Sequence, residues 1–200
     1  MTETSARPYR QVARAAATEK TQRRIVEVFF EQLRSKWLDE ITLDAVAAGA
    51  GTTRQTVIRL FGGKDRLIAA ANDLAYEKIT GRRRLPPDAS PAAIARILVA
   101  DYEIDGDTIV RLLAQEQQHP ELTPILIEGR AGHRAWINDG FSTWLDRVPA
   151  SRREGFVDEL VAVTDIYVWK LFRRDFGHGA PAVTDLIAGL LSKVLAEASR

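Results

Sequence analysis

A chain of 200 residues, 46% of them hydrophobic, can bury one or two cores. It contains no cysteine, which excludes disulfides, thiol catalysis and cysteine-ligated metal, and it has no run of about 18 apolar residues of the kind that spans a membrane. The net charge of +1 conceals an asymmetry: residues 1–84 hold 16 Lys+Arg against 10 Asp+Glu, and residues 85–200 hold 12 against 17. A basic front part suits a polyanion, because each phosphate it neutralises releases counterions. An acidic back part would be repelled by the same duplex, so the two parts are expected to have different partners.

Residues 1–19 are polar and basic, with Arg7, Arg10 and Arg14, and lack the apolar centre of a signal peptide; a cytoplasmic protein is expected. This arm could follow a DNA backbone or enter a minor groove, or be a frayed end, although Ala15-Ala16-Ala17 could extend a helix backwards. Residues 21–35 place Ile25, Phe29 and Leu33 on one face, with Val26 and Phe30 beside them, which predicts a first helix. Over residues 42–61, Leu43, Val46, Ala47 and Ala50 fall at helical spacing behind Thr42, a candidate N-cap. Gly51 is suited to a left-handed turn, and Thr53 is placed to cap a second helix with Val57, Leu60 and Phe61 inward. That arrangement is a helix-turn-helix, and it leaves Arg54, Gln55, Thr56, Ile58 and Arg59 off the apolar face. These are side chains suited to phosphates and base edges in a major groove.

Two short amphipathic helices around a glycine are a weak signal alone, and the neighbours decide the matter. Lys64-Asp65 opens a further helix through Leu67, Ala71 and Leu74, running to about Gly81. The ordered set Thr42, Val46, Ala47, Ala50, Gly51, Thr53, Thr56, Val57, Phe61, Lys64, Asp65 and Leu67 resembles the N-terminal region of TetR-family transcriptional regulators, over roughly residues 20–75. Three positions depart from the family pattern. Ile58 stands where a phosphate-touching tyrosine is common, Thr52 replaces an apolar turn residue, and Gly62-Gly63 precedes the lysine and predicts a looser link. The resemblance implies an all-α fold, a DNA-binding head with a connecting helix over residues 20–84, and a helical effector-binding and dimerisation unit over residues 85–200.

Arg82-Arg83-Arg84 and Leu85-Pro86-Pro87 end the connecting helix, since proline bars its continuation. The arginines suit either DNA or a solvated helix end. Ser90-Pro91 starts a helix that Asp105-Gly106 is expected to close, and further helices are expected from about 107 to 119, 121 to 146, 151 to 176 and 181 to 198. Asp101, Glu103, Asp105 and Gly106 imitate the start of a calcium loop. The twelfth position is Leu112, which cannot supply the required carboxylate, so a helix–helix turn is preferred.

His119, His133 and His178 stand apart, with no paired-ligand spacing, and neither a Gly-rich phosphate loop nor a nucleophile turn is present. No metal, cofactor or enzymatic activity is expected. Tyr102, Gln115, His133, Trp136, Phe141 and Trp169 are candidates for a small-molecule pocket of the kind the resembled family carries, against the plainer reading of a packed core. Phe156, Leu160, Val163 and Tyr167, with Val183, Ile187, Leu190, Leu191 and Val194, form stripes expected to pair two copies as a homodimer. The expected function is sequence-specific DNA binding at a palindromic operator, with repression released by a small ligand. Thr42, Thr53 and Lys64 join the second-helix residues on the expected DNA surface. The alternatives are an architectural DNA binder of low specificity and a small-molecule enzyme built in the bundle.

Overall fold

A computed structural model describes residues 6–198, with side chains from Ala15 onward. The regular elements among them are all helical, so the chain is all-α, and it divides into two compact units, residues 1–75 and 76–200. The division falls inside a helix, ahead of the 84/85 boundary expected from the prolines.

In the first unit, α1 (Ala6–Leu33) starts well before the expected residue 21 and takes in much of the segment read as an arm. Alanine is the strongest helix former, and Ala15-Ala16-Ala17 sit inside it. The expected DNA contacts of Arg7, Arg10 and Arg14 rest on side chains that lie outside those described. A short 3-10 turn (Leu38–Glu40) leads to α2 (Leu43–Gly49), α3 (Arg54–Phe61) and α4 (Lys64–Arg82).

Both short helices are capped as their sequences require. Thr42 Oγ1 accepts from the Ala45 N–H at 3.1 Å and Thr53 Oγ1 from the Thr56 N–H at 3.2 Å. Each cap satisfies an otherwise orphaned donor and contributes about 1 kcal/mol. Gly51 makes the turn at φ +65°. Gly62 takes φ +76° at the end of α3, where its N–H donates to the Ile58 carbonyl at 2.6 Å. Half of the Gly62-Gly63 pair is therefore a conformational requirement of the cap rather than a loosened link.

The core of this unit joins Ile25, Phe29, Phe30 and Leu33 of α1 to Leu38, Ile41, Val46, Ala47, Val57, Phe61, Leu67, Ile68 and Ala71, all buried. Burial of each large apolar side chain contributes about 1.5 to 3 kcal/mol. α2 lies so close on α1 that a Cβ added at Gly49 would stand 2.8 Å from Val28 Cγ1.

The second unit is built on α5 (Pro91–Ala114), with α6 (Thr123–Gly140), α7 (Ser142–Leu145), α8 (Ala150–Thr164), α9 (Ile166–Lys170), a π-helical turn (Leu171–Asp175) and α10 (Ala180–Glu197). α10 and α9 lie along α5, and α8 packs on α10 and α6. No described helix is long and apolar enough to cross a membrane.

Three expectations for this unit are corrected. α5 continues through Asp105-Gly106 to Ala114. Gly106 is there for a tertiary reason: an added Cβ would stand 2.7 Å from the Trp169 ring, so the indole lies directly on the helix backbone. A mid-helix glycine costs about 1 kcal/mol relative to alanine, and the fully buried Trp169 side chain more than offsets it. The helix expected over 151–176 is broken at Asp165, which is extended (ψ 149°) and caps α9 by accepting from the Tyr167 N–H at 2.8 Å. The helix expected over 121–146 likewise divides at Phe141.

The dimer stripes are corrected most. Phe156, Leu160, Val183, Ile187 and Leu191 are buried in the unit's own core with Ile94, Leu98 and Trp169, because α10 covers α5 and α8 at once. Such side chains cannot also face a second chain. Val163, Leu190 and Val194 are half-buried, and Tyr167 is exposed.

Candidate nucleic-acid interface and the polar core of the second unit

The inward positions of α3 are Val57, fully buried, and Phe61, and these two orient the rest of the helix. Arg54, Gln55, Ile58 and Arg59 are left exposed, and Thr56 is half-buried with its hydroxyl 3.0 Å from that of Thr53. Thr42 and Thr53 are exposed with their oxygens engaged as caps, so either can still donate from its hydroxyl. Arg54 lies 3.9 Å from Asp44, both side chains mostly in water. Such a pair is worth ~0–1 kcal/mol and is easily exchanged for another anion. Lys64 is placed differently from the other candidates: its Nζ donates to the Leu38 carbonyl in a partly buried setting and ties the start of α4 to the 3-10 turn. The bond engages one of the three N–H donors of the ammonium, so a phosphate contact remains a proposal.

The second unit holds a polar cluster that sequence reasoning did not assemble. Arg82 Nε and Arg83 Nε each meet one oxygen of the buried Asp101 carboxylate at 2.6 Å, and Arg82 Nη2 meets Asp105 at 2.5 Å. The arginines had suited either DNA or a solvated helix end, and the aspartates a helix–helix turn that imitates a calcium loop. A complementary signal was present, since two adjacent arginines face Asp101 and Asp105, which stand four apart on one side of α5.

From Arg83 the network continues. Its Nη1 lies 3.3 Å from His133 Nδ1, and His133 Nε2 lies 3.0 Å from Thr164 Oγ1. Thr164 Oγ1 donates to the Leu160 carbonyl at 2.7 Å, so it accepts from His133, whose Nδ1 then accepts from Arg83. That proton order requires neutral histidine. The Tyr102 hydroxyl donates to the Thr164 carbonyl at 2.9 Å, the carbonyl that the break before α9 leaves free. Burial pushes the Tyr102 phenol up to about 12, so it stays a donor.

Of the six expected pocket residues, Tyr102, His133 and Trp136 converge on Arg83, whose guanidinium lies 4.7 Å from the Tyr102 ring centre and 6.0 Å from that of Trp136. Phe141 meets Trp136 edge-on, Trp169 tilts against Tyr102, and Gln115 is bonded to the Arg111 carbonyl at the far end of α5.

Burial, and then the Arg83 charge, push His133 down to about 4. The folded value lies below the ordinary one near 6.5, so the unfolded chain takes up the proton first. Stability is therefore complete at neutral pH and is lost as pH falls from about 6.5 toward about 4, by at most about 3 kcal/mol. His133→Gln is expected to flatten this part of the stability profile in urea titrations at pH 7, 6 and 5. An unchanged slope would show that His133 is solvated.

These features define an all-α protein with a capped helix-turn-helix head and a helical second unit. In fold the chain is similar to a transcriptional regulator from Rhodococcus sp. Rha1, with TM-score 0.70 and 15% identity over 90% of this chain and 98% of that one. It is also similar to a TetR-family transcriptional regulator from Streptomyces coelicolor, with TM-score 0.64 and 20% identity over 91% and 97%. No family model and no curated protein matches the sequence. The fold is that of TetR-family regulators.

Proposed function

We propose that this protein is a DNA-binding transcriptional regulator that reads a specific operator and acts as a repressor released by a small-molecule effector. The observation that carries the reading is the row Arg54, Gln55, Ile58 and Arg59, exposed on a helix whose other face is locked into the head by Val57 and Phe61. A helix held in this way can enter a major groove with two guanidinium groups and an amide toward the base edges. Selection of bound sequences from a random duplex pool tests it. A single enriched motif is expected. Equal binding to all sequences would identify an architectural binder instead.

Arg54→Ala and Arg59→Ala are expected to fold normally and to weaken binding to the selected operator. If the arginine reads a guanine in two hydrogen bonds, its loss costs about 1 to 3 kcal/mol and relaxes one position. A loss equal on all sequences marks a phosphate contact, and unchanged binding in both variants would remove α3 from the interface.

The active form is proposed to be a homodimer through the outer sides of α8 and α10, where Val163, Leu190 and Val194 are half-buried and a Cβ added at Gly189 would meet open space. A two-fold dimer reads inverted half-sites, so the operator should be a palindrome. Light scattering should show that Leu190→Arg is a folded monomer with much weaker operator binding. A tightly binding wild-type monomer would overturn the dimer. The effector would be drawn to the aromatic and polar grouping of Tyr102, His133 and Trp136. Coupling is reciprocal, so operator DNA must weaken its binding by the same factor by which it weakens DNA binding.

A further inference from the structure

We infer that Ile58 reads the methyl group of one thymine in each half-site of the operator; this rests on the DNA-binding reading above. Ile58 is 41% exposed, whereas its neighbour Val57 is fully buried. The exposure leaves a branched apolar side chain in water on a short helix, where isoleucine is a poorer helix former than leucine or alanine. Its surroundings are polar: Arg54 and Gln55 precede it by four and three residues, which puts them on the same side of α3, and Arg59 follows it directly.

A side chain without donor or acceptor cannot bind phosphate and cannot hydrogen-bond a base edge. Among the groups that base pairs present in the major groove, one is apolar, the C5 methyl of thymine. Arg54 and Arg59 supply the charge that draws the duplex onto this surface, and their polar reach around Ile58 leaves the isoleucine to contact what they cannot recognise. Contact between the two apolar groups removes both from water, whereas cytosine at the same place offers only a C5 hydrogen and leaves a gap. The residue thereby distinguishes an A·T pair, in one orientation, at a single position of the half-site.

Replacing thymine by uracil removes that methyl and leaves every hydrogen-bonding group in place. With the operator from the random-pool selection, each thymine is replaced in turn by uracil, at symmetric positions in both half-sites. One position is expected at which wild-type affinity falls about three- to fivefold per half-site, the effect of withdrawing one methyl-sized contact. At that position Ile58→Ala is expected to bind thymine and uracil duplexes equally, and Ile58→Val to keep part of the difference. Both variants should melt as the wild type does, since the side chain lies outside the core.

A selected operator that tolerates uracil everywhere overturns the inference and leaves the DNA-binding reading standing. A uracil penalty that persists undiminished in Ile58→Ala also overturns it, by assigning the methyl contact to another side chain. A pool in which no sequence is enriched overturns the specific-operator reading and this inference with it.

Discussion

Asp101→Ala is expected to lower the stability of the second unit by about 3 to 5 kcal/mol, the range for removing one partner of a buried ion pair. Asp101 is 1% exposed and accepts from two guanidinium groups, and Arg83 is itself only 7% exposed. Arg82 keeps Asp105 when Asp101 is lost. Arg83 keeps His133 and the faces of Tyr102 and Trp136, none of which is an anion at neutral pH. The cost is thus that of a guanidinium held in a poorly solvated place without its counter-charge. Asp101→Asn retains shape and hydrogen-bonding capacity but not charge, so it should fall between the variant and the wild type. Arg134→Ala is the control, because its partner Asp158 is 61% exposed and such surface pairs contribute ~0–1 kcal/mol. Urea unfolding followed by tryptophan fluorescence measures all three, with Trp136, Trp144 and Trp169 in this unit. If Asp101→Ala loses no more than Arg134→Ala, the cluster is open to water.

Val57→Asp is expected to unfold the head while leaving the second unit folded. The side chain is fully buried among apolar neighbours, and a carboxyl there has no partner, a cost of roughly 2 to 7 kcal/mol even when it takes up a proton. A head with so few large side chains cannot absorb that loss. Because each compact unit has its own core, the expected signature is partial loss of helical circular dichroism, one surviving thermal transition and no operator binding. Ile58→Asp, one residue along, should retain the full helical signal and lose DNA affinity alone, through repulsion from the phosphates. The pair of variants separates folding from binding on one turn of α3. A Val57→Asp protein with wild-type circular dichroism and affinity would show that the two faces of the helix are interchanged.

The parts of this molecule legible in the amino-acid order are those decided by near neighbours. Thr42, Thr53 and Ser90 cap the helices they precede, because an N-cap oxygen needs only the amide three residues on. Gly51 turns the chain because no other residue takes a left-handed backbone so cheaply, and the 3.6-residue period separates Val57 and Phe61 from Arg54, Gln55, Ile58 and Arg59. The helix-turn-helix and its outward surface follow from these local rules.

What tertiary structure decided was partnership across long separations. Periodicity marks which side of a helix is apolar but not what covers it, so the stripes of α8 and α10 looked available to a second copy until α10 proved to lie along α5. Gly106 looked like a helix end until the Trp169 ring was found on it, and Asp101 like part of a helix–helix turn until Arg82 and Arg83 reached it from the end of α4. Lys64 read as a phosphate ligand only, and its Nζ also bonds the Leu38 carbonyl. In each case the residue's type was plain, while its role depended on a group 18 or more positions away, brought near by burial of surfaces that carry no label of their own partner.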